Sequence, residues 1–223
     1  MSTNVVTVHN VVNINIAVSC ATMCADRPYH HGDLREQLLE SAERALRDHG
    51  VEQLSLRRLA KELGVTHNAP SRHFRDKQAL LDALALAGFR RLGDTFHKAV
   101  AAADIDFEDR FRVLARAYLD FALQNSALLT VMFARKHSQT AGAAMDEAVA
   151  RAFAVPVTLT AEAQARGEVA EGDPLRIGWT VAIAMQGLAS FVASGLVVPG
   201  DFDDLLDETV TRLMQGLRRR DAP

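Results

Sequence analysis

The stretch "LAKELGVTHNAPSRHF", residues 59–74, decides how the front of this chain folds. Its first half has apolar residues at helical spacing and ends at Gly64, a residue type that suits the end of a helix. Its second half is crowded with side chains that form hydrogen bonds, namely Thr66, His67, Asn68, Ser71, Arg72 and His73. A buried helix does not carry so many polar groups, so we interpret this segment as facing a polar partner.

The spacing around Gly64 predicts two short helices joined by a turn. The first begins after Ser55, whose hydroxyl caps it, and the second runs from Thr66 to about His73, with Pro70 in or next to its first turn. This is the arrangement of a helix-turn-helix at about 55–74, in which the second helix lies in the major groove of DNA. The residues assigned to DNA contact are Ser55, Arg57, Thr66, His67, Asn68, Pro70, Ser71, Arg72, His73 and Lys77.

The residue types in this segment suit different parts of a DNA duplex. Asn68 is suited to reading adenine, while Thr66 and His67 can donate to bases or phosphates. Lys77 stands at the start of the next predicted helix, where the ammonium group and the free N–H groups together suit a phosphate. On spacing alone, a short solvent-exposed helix in an ordinary bundle is the alternative.

The rest of the chain after residue 25 has the periodicity of helices and no strand pattern, which predicts an all-α fold. Residues 175–195 are apolar nearly all round, and we expect them to be buried on every side. The other predicted helices cover residues 33–50, 107–136 with a break near Asn125, 140–166 with a kink at Pro156, and 201–219. A further helix is predicted to begin after the capping residue Asp76 and to turn its apolar face inward as far as Phe96.

Composition and charge limit the classes of function. The chain has 223 residues, 48% of them hydrophobic and 24% charged, which is typical of a folded protein of one or two domains. The formal net charge is -3, yet residues 27–98 hold 13 basic and 10 acidic side chains, and a basic front suits a polyanion. Two cysteines make no disulfide framework, and no apolar run approaches a membrane span, so we expect a cytoplasmic protein with no membrane partner.

The first 26 residues differ from the rest of the chain. Residues 1–25 contain no Asp, Glu, Lys or Arg, and the basic start of a secretory signal is missing. We interpret residues 1–26 as a disordered or mis-assigned extension. The spacing of Cys20, Cys24, His30 and His31 fits no tight zinc pattern, so we predict no metal site. We find no pattern of a catalytic site and predict no cofactor and no enzyme.

The segment "GDLREQLLESAERALRDHGVEQLSLRRLAKELGVTHNAPSRHFRDKQALL" resembles the DNA-binding domain of TetR-family transcriptional regulators. The motif "HHGDLR", which begins two residues before this segment, and the motifs "LSLRRLAKELGV" and "RHFRDKQALL" stand in the family's order. One departure is Ser71, where the family usually has a tyrosine that contacts the DNA backbone. The resemblance implies a helix-turn-helix DNA-binding domain over residues 31–92 and a helical domain for ligand binding and dimerisation over residues 93–223.

The C-terminal half loosely resembles a subgroup of that family with a His-Gly pair after a tryptophan in its penultimate helix, where this chain has Gln186-Gly187 and Trp179. Candidate ligand-binding residues are Tyr118, Phe133, His137, Trp179, Met185 and Gln186. Few charged residues lie near them, which favours an apolar or neutral ligand. The expected function is a ligand-responsive regulator, a homodimer on a roughly palindromic DNA site and a repressor. The alternative is a helical binding or scaffold protein with a weakened DNA-binding domain.

Overall fold

The computed structural model describes residues 33–101, 106–136, 138, 142–197 and 201–218. These residues form α-helices, one short 3-10 turn and one isolated bridge, so the predicted all-α fold is confirmed. The elements are α1 (Asp33–His49), α2 (Leu56–Glu62), the 3-10 turn (Pro70–Arg72), α3 (Lys77–Ala101), α4 (Phe107–Gln124), α5 (Ser126–Arg135), α6 (Gly142–Ala165), α7 (Pro174–Ala193) and α8 (Phe202–Leu217).

The predicted caps at the ends of the helix-turn-helix are confirmed. The Ser55 hydroxyl accepts a hydrogen bond from the Arg58 amide at 3.2 Å, and the Asp76 carboxylate accepts one from the Ala79 amide at 2.8 Å. Between them the chain turns at Gly64, whose φ of 67° lies in the left-handed region that favours glycine. These caps fix where α2 and α3 begin and therefore where the segment between them lies.

The prediction of an α-helix over residues 66–73 is wrong. The amide of Ala69 donates to the Thr66 carbonyl at 2.9 Å, and the amide of His73 donates to the Pro70 carbonyl at 3.0 Å, which is the three-residue spacing of a 3-10 turn. Pro70 has no N–H, so it cannot donate to the Thr66 carbonyl four residues earlier. The segment is consequently a tight succession of turns instead of a regular helix.

Helix α3 is a 25-residue rod that begins at the helix-turn-helix and ends among the C-terminal helices. Two glycines let neighbouring helices approach it closely. A Cβ atom at Gly88 would lie 2.5 Å from the Met132 sulfur in α5, and one at Gly93 would lie 3.2 Å from the Ala152 Cα in α6. The continuous helix and these close contacts connect the front of the chain mechanically with its C-terminal helices.

The expectation that residues 175–195 are buried on every side is wrong. Met185, Leu188 and Ala189 of α7 are buried, but Ile183 is 70% exposed and Phe191 is 56% exposed. Helix α7 packs on α4, α6 and α8, and these contacts leave Ile183 and Phe191 exposed. The pattern of its sequence shows how apolar the helix is, but it does not show how many sides of the helix are covered.

The sequence-based statement that no apolar run approaches the length of a membrane span is also wrong. Helix α7 is long and apolar enough for one by length and composition, and 17% of that stretch is buried. One such helix is weak evidence for membrane insertion. Its neighbours α4 and α8 are joined by an exposed ion pair between Arg116 and Asp203, a pair that hydrocarbon would not accommodate.

Candidate nucleic-acid interface and interior cavity

The polar side chains that follow Gly64 lie on the outside of the helix-turn-helix. Thr66, His67, Asn68, Ser71 and Arg72 are exposed and His73 is half-buried. Their backbone rests on a packed core that includes Leu59, Ala60 and Phe74, which are each 3% exposed or less. The structure thus brings these predicted contact residues together on one segment, whose backbone packs on the core and whose polar side chains are exposed.

Pro70 differs from the other predicted contact residues because it is buried. It shapes the 3-10 turn that begins at Pro70 and does not present its side chain at the surface. Basic side chains of α2 lie beside this group of polar residues. They contribute to a groove whose polar and basic lining residues are Ser55, Arg57, Arg58, Lys61 and His67. The charge of Arg58 is partly neutralised by Glu62, whose carboxylate lies 3.0 Å from its Nε.

Lys77 is held in place at the first turn of α3. Its ammonium group donates to the Glu52 carbonyl at 3.2 Å, in the loop between α1 and α2. The neighbouring Asp76 carboxylate accepts from the Ala79 amide and pairs with Arg75, and these contacts hold the pKa of that carboxyl below its ordinary value. The Lys77 ammonium group has further N–H groups that could donate to a phosphate at this helix end. The Ala79 amide could not, because it already donates to the Asp76 carboxylate.

Two ion pairs that sequence analysis missed join the front of the chain to the later helices. The Arg91 guanidinium in α3 bonds to the Glu43 carboxylate in α1 and to the Asn125 side chain between α4 and α5. The Arg135 Nε in α5 lies 2.6 Å from the Asp82 carboxylate in α3, which is 9% exposed. The partners lie dozens of residues apart in sequence, so no local pattern signals them.

An interior cavity of about 50 Å³ lies between α3, α4, α6 and α7. Tyr118 forms part of its wall and is 4% exposed, and burial raises the pKa of its hydroxyl above the ordinary value. That hydroxyl donates to the Gln186 side-chain oxygen at 2.5 Å. The cavity is lined by aromatic and aliphatic residues and one threonine, namely Phe96, Phe111, Leu114, Ala115, Tyr118, Phe153, Pro156, Leu159, Thr160, Gly178, Val181, Ala182 and Met185.

The predicted ligand residues are only partly gathered at this cavity. Tyr118 and Met185 line it, and Gln186 is the partner of Tyr118. Phe133 packs edge-on against Phe89 in the contact between α3 and α5, with ring centroids 6.2 Å apart. His137 lies outside the described residues.

Trp179 is not among the residues that line the cavity, but it packs against Phe153, which is. Its ring centroid is 5.2 Å from that of Phe153, and the Lys136 ammonium group lies 4.1 Å above its ring. Trp179 and Phe153 line a surface groove of about 390 Å³ between α6 and α7. Phe96, Phe111 and Phe153 were missed as lining residues because nothing in their spacing separates them from an ordinary helical core.

Metal-binding clusters of three or more His, Cys, Asp or Glu are absent from the part of the chain that the structure describes. The four residues considered for zinc, Cys20, Cys24, His30 and His31, lie outside that part.

Comparisons with known proteins place both halves of the chain in one family. Residues 38–84 match the family described as "Bacterial regulatory proteins, tetR family", and residues 111–213 match "Tetracyclin repressor-like, C-terminal domain". The HTH-type transcriptional regulator BetI of Yersinia pestis is 33% identical over 101 residues, which cover 45% of this chain and 51% of that protein. The tetracycline repressor protein class C of Escherichia coli is 51% identical over 53 residues, 24% of each chain. The chain thus spans about half the length, or less, of these curated relatives.

Solved structures extend the likeness over most of the chain. A protein of unknown function from Rhodococcus sp. RHA1 is 41% identical, with a TM-score of 0.79 over 87% of this chain and 100% of that chain. A putative tetR-family transcription regulator from Shewanella sp. PV-4 is 20% identical, with a TM-score of 0.67 over 83% of this chain and 98% of that chain. At that identity the second likeness speaks for the fold alone.

Proposed function

Since the chain belongs to the TetR family of bacterial regulatory proteins, we propose that it binds specific DNA sites as a homodimer and regulates transcription in the cytoplasm. Members of this family are transcription factors and not enzymes. The observation that carries the proposal is the exposed group of polar side chains at Thr66, His67, Asn68, Ser71 and Arg72, held on a buried apolar base. Polar groups presented on a rigid support suit contacts to base edges and phosphates.

The short 3-10 turn is compatible with this role. A recognition segment needs a few side chains at base edges, and the first residues of the segment make those contacts. Thr66, His67 and Asn68 stand at that end and are exposed. Arg57 and Lys61 on α2 add positive charge beside them, which supports contact with the phosphate backbone.

The exposed apolar side of α7 supports the homodimer. Two large apolar residues of α7, Ile183 and Phe191, are 70% and 56% exposed, and Leu196, in the loop that follows the helix, is 73% exposed. A water-soluble domain gains by covering such a surface, and a second copy of the same chain is the simplest partner. Two recognition segments about 34 Å apart would then meet successive major grooves of a roughly palindromic site.

The interior cavity supports regulation by a small, apolar or neutral molecule. Helix α3 begins at the helix-turn-helix with Lys77 and contributes Phe96 to the cavity wall. A ligand that favours one arrangement of the wall therefore also favours one placement of the recognition segment. In this proposal the unliganded dimer binds DNA as a repressor, and the ligand releases it.

Ser71 supports a second candidate function, a helical ligand-binding protein whose DNA-binding domain is weakened. Its side chain is exposed but shorter than the tyrosine usual at this position, so it reaches less far towards a phosphate. The variant Ser71→Tyr separates the two candidates. A large gain in affinity from a nearly inactive parent would support the second, and tight binding by the parent would support the first.

The test is fluorescence anisotropy of the purified full chain on labelled DNA from the region flanking its own coding sequence. Binding is measured at two salt concentrations with random DNA as competitor. Tight, salt-dependent binding that survives the competitor is expected from a sequence-specific regulator. Binding that the competitor removes, both here and in a genome-wide selection of DNA fragments, would contradict the proposal.

A further inference from the structure

The Tyr118 side chain at the interior cavity contacts both α3 and α7. The ring of Tyr118 in α4 is stacked on Phe96 of α3, with centroids 6.4 Å apart. Its hydroxyl donates to Gln186 of α7 at 2.5 Å. Helix α3 begins at the helix-turn-helix, and α7 carries the exposed apolar side. A change at Tyr118 therefore acts on both helices directly.

The lining of the cavity restricts the chemistry of a ligand. Among the described lining residues, only Tyr118 and Thr160 have polar side-chain atoms, and none is charged. The Thr160 hydroxyl donates to the Pro156 carbonyl of its own helix at 2.8 Å. A charged ligand would lose its hydration without a counter-ion in this lining, which is costly. A neutral molecule would lose little, provided that its polar atoms find a partner.

The size of the cavity adds a mechanical condition. It measures about 50 Å³, whereas an engineered apolar cavity that holds benzene measures about 150 Å³. A ligand as large as benzene must therefore push the wall apart. The hydrogen bond between Tyr118 and Gln186 joins α4 and α7 beside this cavity, in addition to their apolar packing. A buried hydroxyl that loses its partner is penalised, so the bond yields more readily to a ligand that offers a replacement acceptor.

We infer that the cavity takes a compact neutral molecule with one hydrogen-bond acceptor, and that this acceptor takes the Tyr118 hydroxyl away from Gln186. The exchange keeps the buried hydroxyl paired and removes one hydrogen bond between α4 and α7. Its regulatory meaning rests on the proposed function, because α7 carries the surface assigned to the homodimer. The exchange itself is tested without DNA.

The test uses two probes of nearly the same shape, cyclopentanone, which has an acceptor oxygen, and methylenecyclopentane, which has a CH₂ group in its place. Binding to the full chain is followed by the NMR signal of the ¹³C-labelled Met185 methyl group, which lines the cavity. The signal of Met132, which is buried against Gly88 instead, is the internal control for folding. The measured quantity is the ratio of the two affinities, ketone over hydrocarbon, because it removes the difference in their solubility.

The variants Tyr118→Phe and Gln186→Met change this ratio in opposite directions. Tyr118→Phe removes the donor and keeps the ring, so the ratio is expected to fall about threefold to tenfold, the usual value of one hydrogen bond. Gln186→Met removes the competing acceptor, so the ratio is expected to rise. If Tyr118→Phe fails to fold, as judged from the Met132 signal, the rise in Gln186→Met carries the test.

Several outcomes would overturn the inference. A ratio that is the same in all three proteins shows that the ketone does not use Tyr118. A fall in Tyr118→Phe without a rise in Gln186→Met shows that Gln186 does not compete. A Met185 signal that responds to neither probe shows that the cavity does not admit them. If the protein binds its DNA site but fails these tests, only this inference is contradicted. If it passes them without binding DNA, the proposed function is contradicted and the inference about the cavity stands.

Discussion

The Arg91 guanidinium of α3 grips the Glu43 carboxylate of α1 with two hydrogen bonds, of 2.9 Å and 3.3 Å. The same group donates to the Asn125 side chain at 2.9 Å and lies over the Phe121 ring. One side chain thus joins the helix-turn-helix half to the junction of α4 and α5. A planar guanidinium presents a fixed fork of donors to both carboxylate oxygens while its face lies on a ring, and an ammonium group has no such planar fork.

We expect Arg91→Lys to lower the free energy of unfolding by about 1 kcal/mol, a modest value because the Arg91 side chain is 44% exposed and solvent screens its charge. Urea denaturation of the two proteins measures the difference. The matched control is Arg47→Lys, which alters a 3.9 Å contact with the same Glu43 and should change stability little. Equal losses in the two variants would contradict a special role for Arg91.

Gly88 provides the second prediction, because α5 leaves no room for a side chain there. We expect Gly88→Ala to destabilise the fold by about 1–3 kcal/mol, since the new methyl group would meet the Met132 sulfur at 2.5 Å. Gly216→Ala in α8 is the control, because nothing lies within 4 Å of a Cβ atom there and alanine favours helix. Replacing Met132 by valine in the Gly88→Ala background should recover part of the loss in thermal denaturation, and no recovery would locate the strain elsewhere.

The third prediction concerns the different contributions of Asn68 and Lys77 to DNA binding, the first to base recognition and the second to phosphate contact. Asn68→Ala should weaken binding to the preferred site more than to random DNA and relax the preference at one base pair, at a cost of about 1–3 kcal/mol. Lys77→Ala should weaken binding to both alike and lower the salt slope by about one unit. Anisotropy titrations at several salt concentrations separate the two, and equal losses on both DNAs for Asn68→Ala would refute its assignment to base reading.

Acid provides the fourth prediction, through the cap of α3. The Ala79 amide and Arg75 lower the pKa of the Asp76 carboxyl in the folded state, relative to an ordinary value of 3.8. The stabilisation is therefore fully present above the unfolded pKa and is lost as the pH falls through the lower folded pKa. The melting temperature of Asp76→Asn should lie below that of the parent at pH 6, and the gap should narrow as the pH falls below about 4. A gap that does not change with pH would mean that the charge of Asp76 contributes nothing.

The features that sequence analysis predicted correctly are local ones. Ser55 and Asp76 cap their helices because a short polar side chain reaches amides three residues ahead, and this needs no tertiary partner. No α-helix forms over residues 66–73, because Pro70 removes one of the few backbone hydrogen bonds that so short a segment can make. A preference for helix summed over eight residues is small beside the loss of one hydrogen bond in such a segment.

The features that the sequence did not predict depend on contacts between residues that are far apart in the chain. The cavity residues Phe96, Phe111 and Phe153 have the same helical spacing as any core residue, and only the meeting of three helices makes them a wall. The exposure of α7 escaped for a related reason. The sequence pattern around an apolar side chain such as Ile183 is the same whether its own chain or another molecule covers it. The sequence therefore predicts that the side chain is covered, but it does not predict which molecule covers it.

The last prediction concerns that uncovered side of α7. Ile183 is 70% exposed, and a carboxylate placed there costs little in a monomer but is costly in an apolar interface. We expect Ile183→Glu to convert a dimer to a monomer in sedimentation velocity. Affinity for a palindromic DNA site should fall on the order of a hundredfold, because the second recognition segment is no longer tethered. Ala161→Glu, an acid added at an exposed position of α6, is the control and should leave both the sedimentation and the affinity unchanged. A dimer that survives Ile183→Glu would mean that the two copies meet through another face, and that the apolar side of α7 is covered by a different partner.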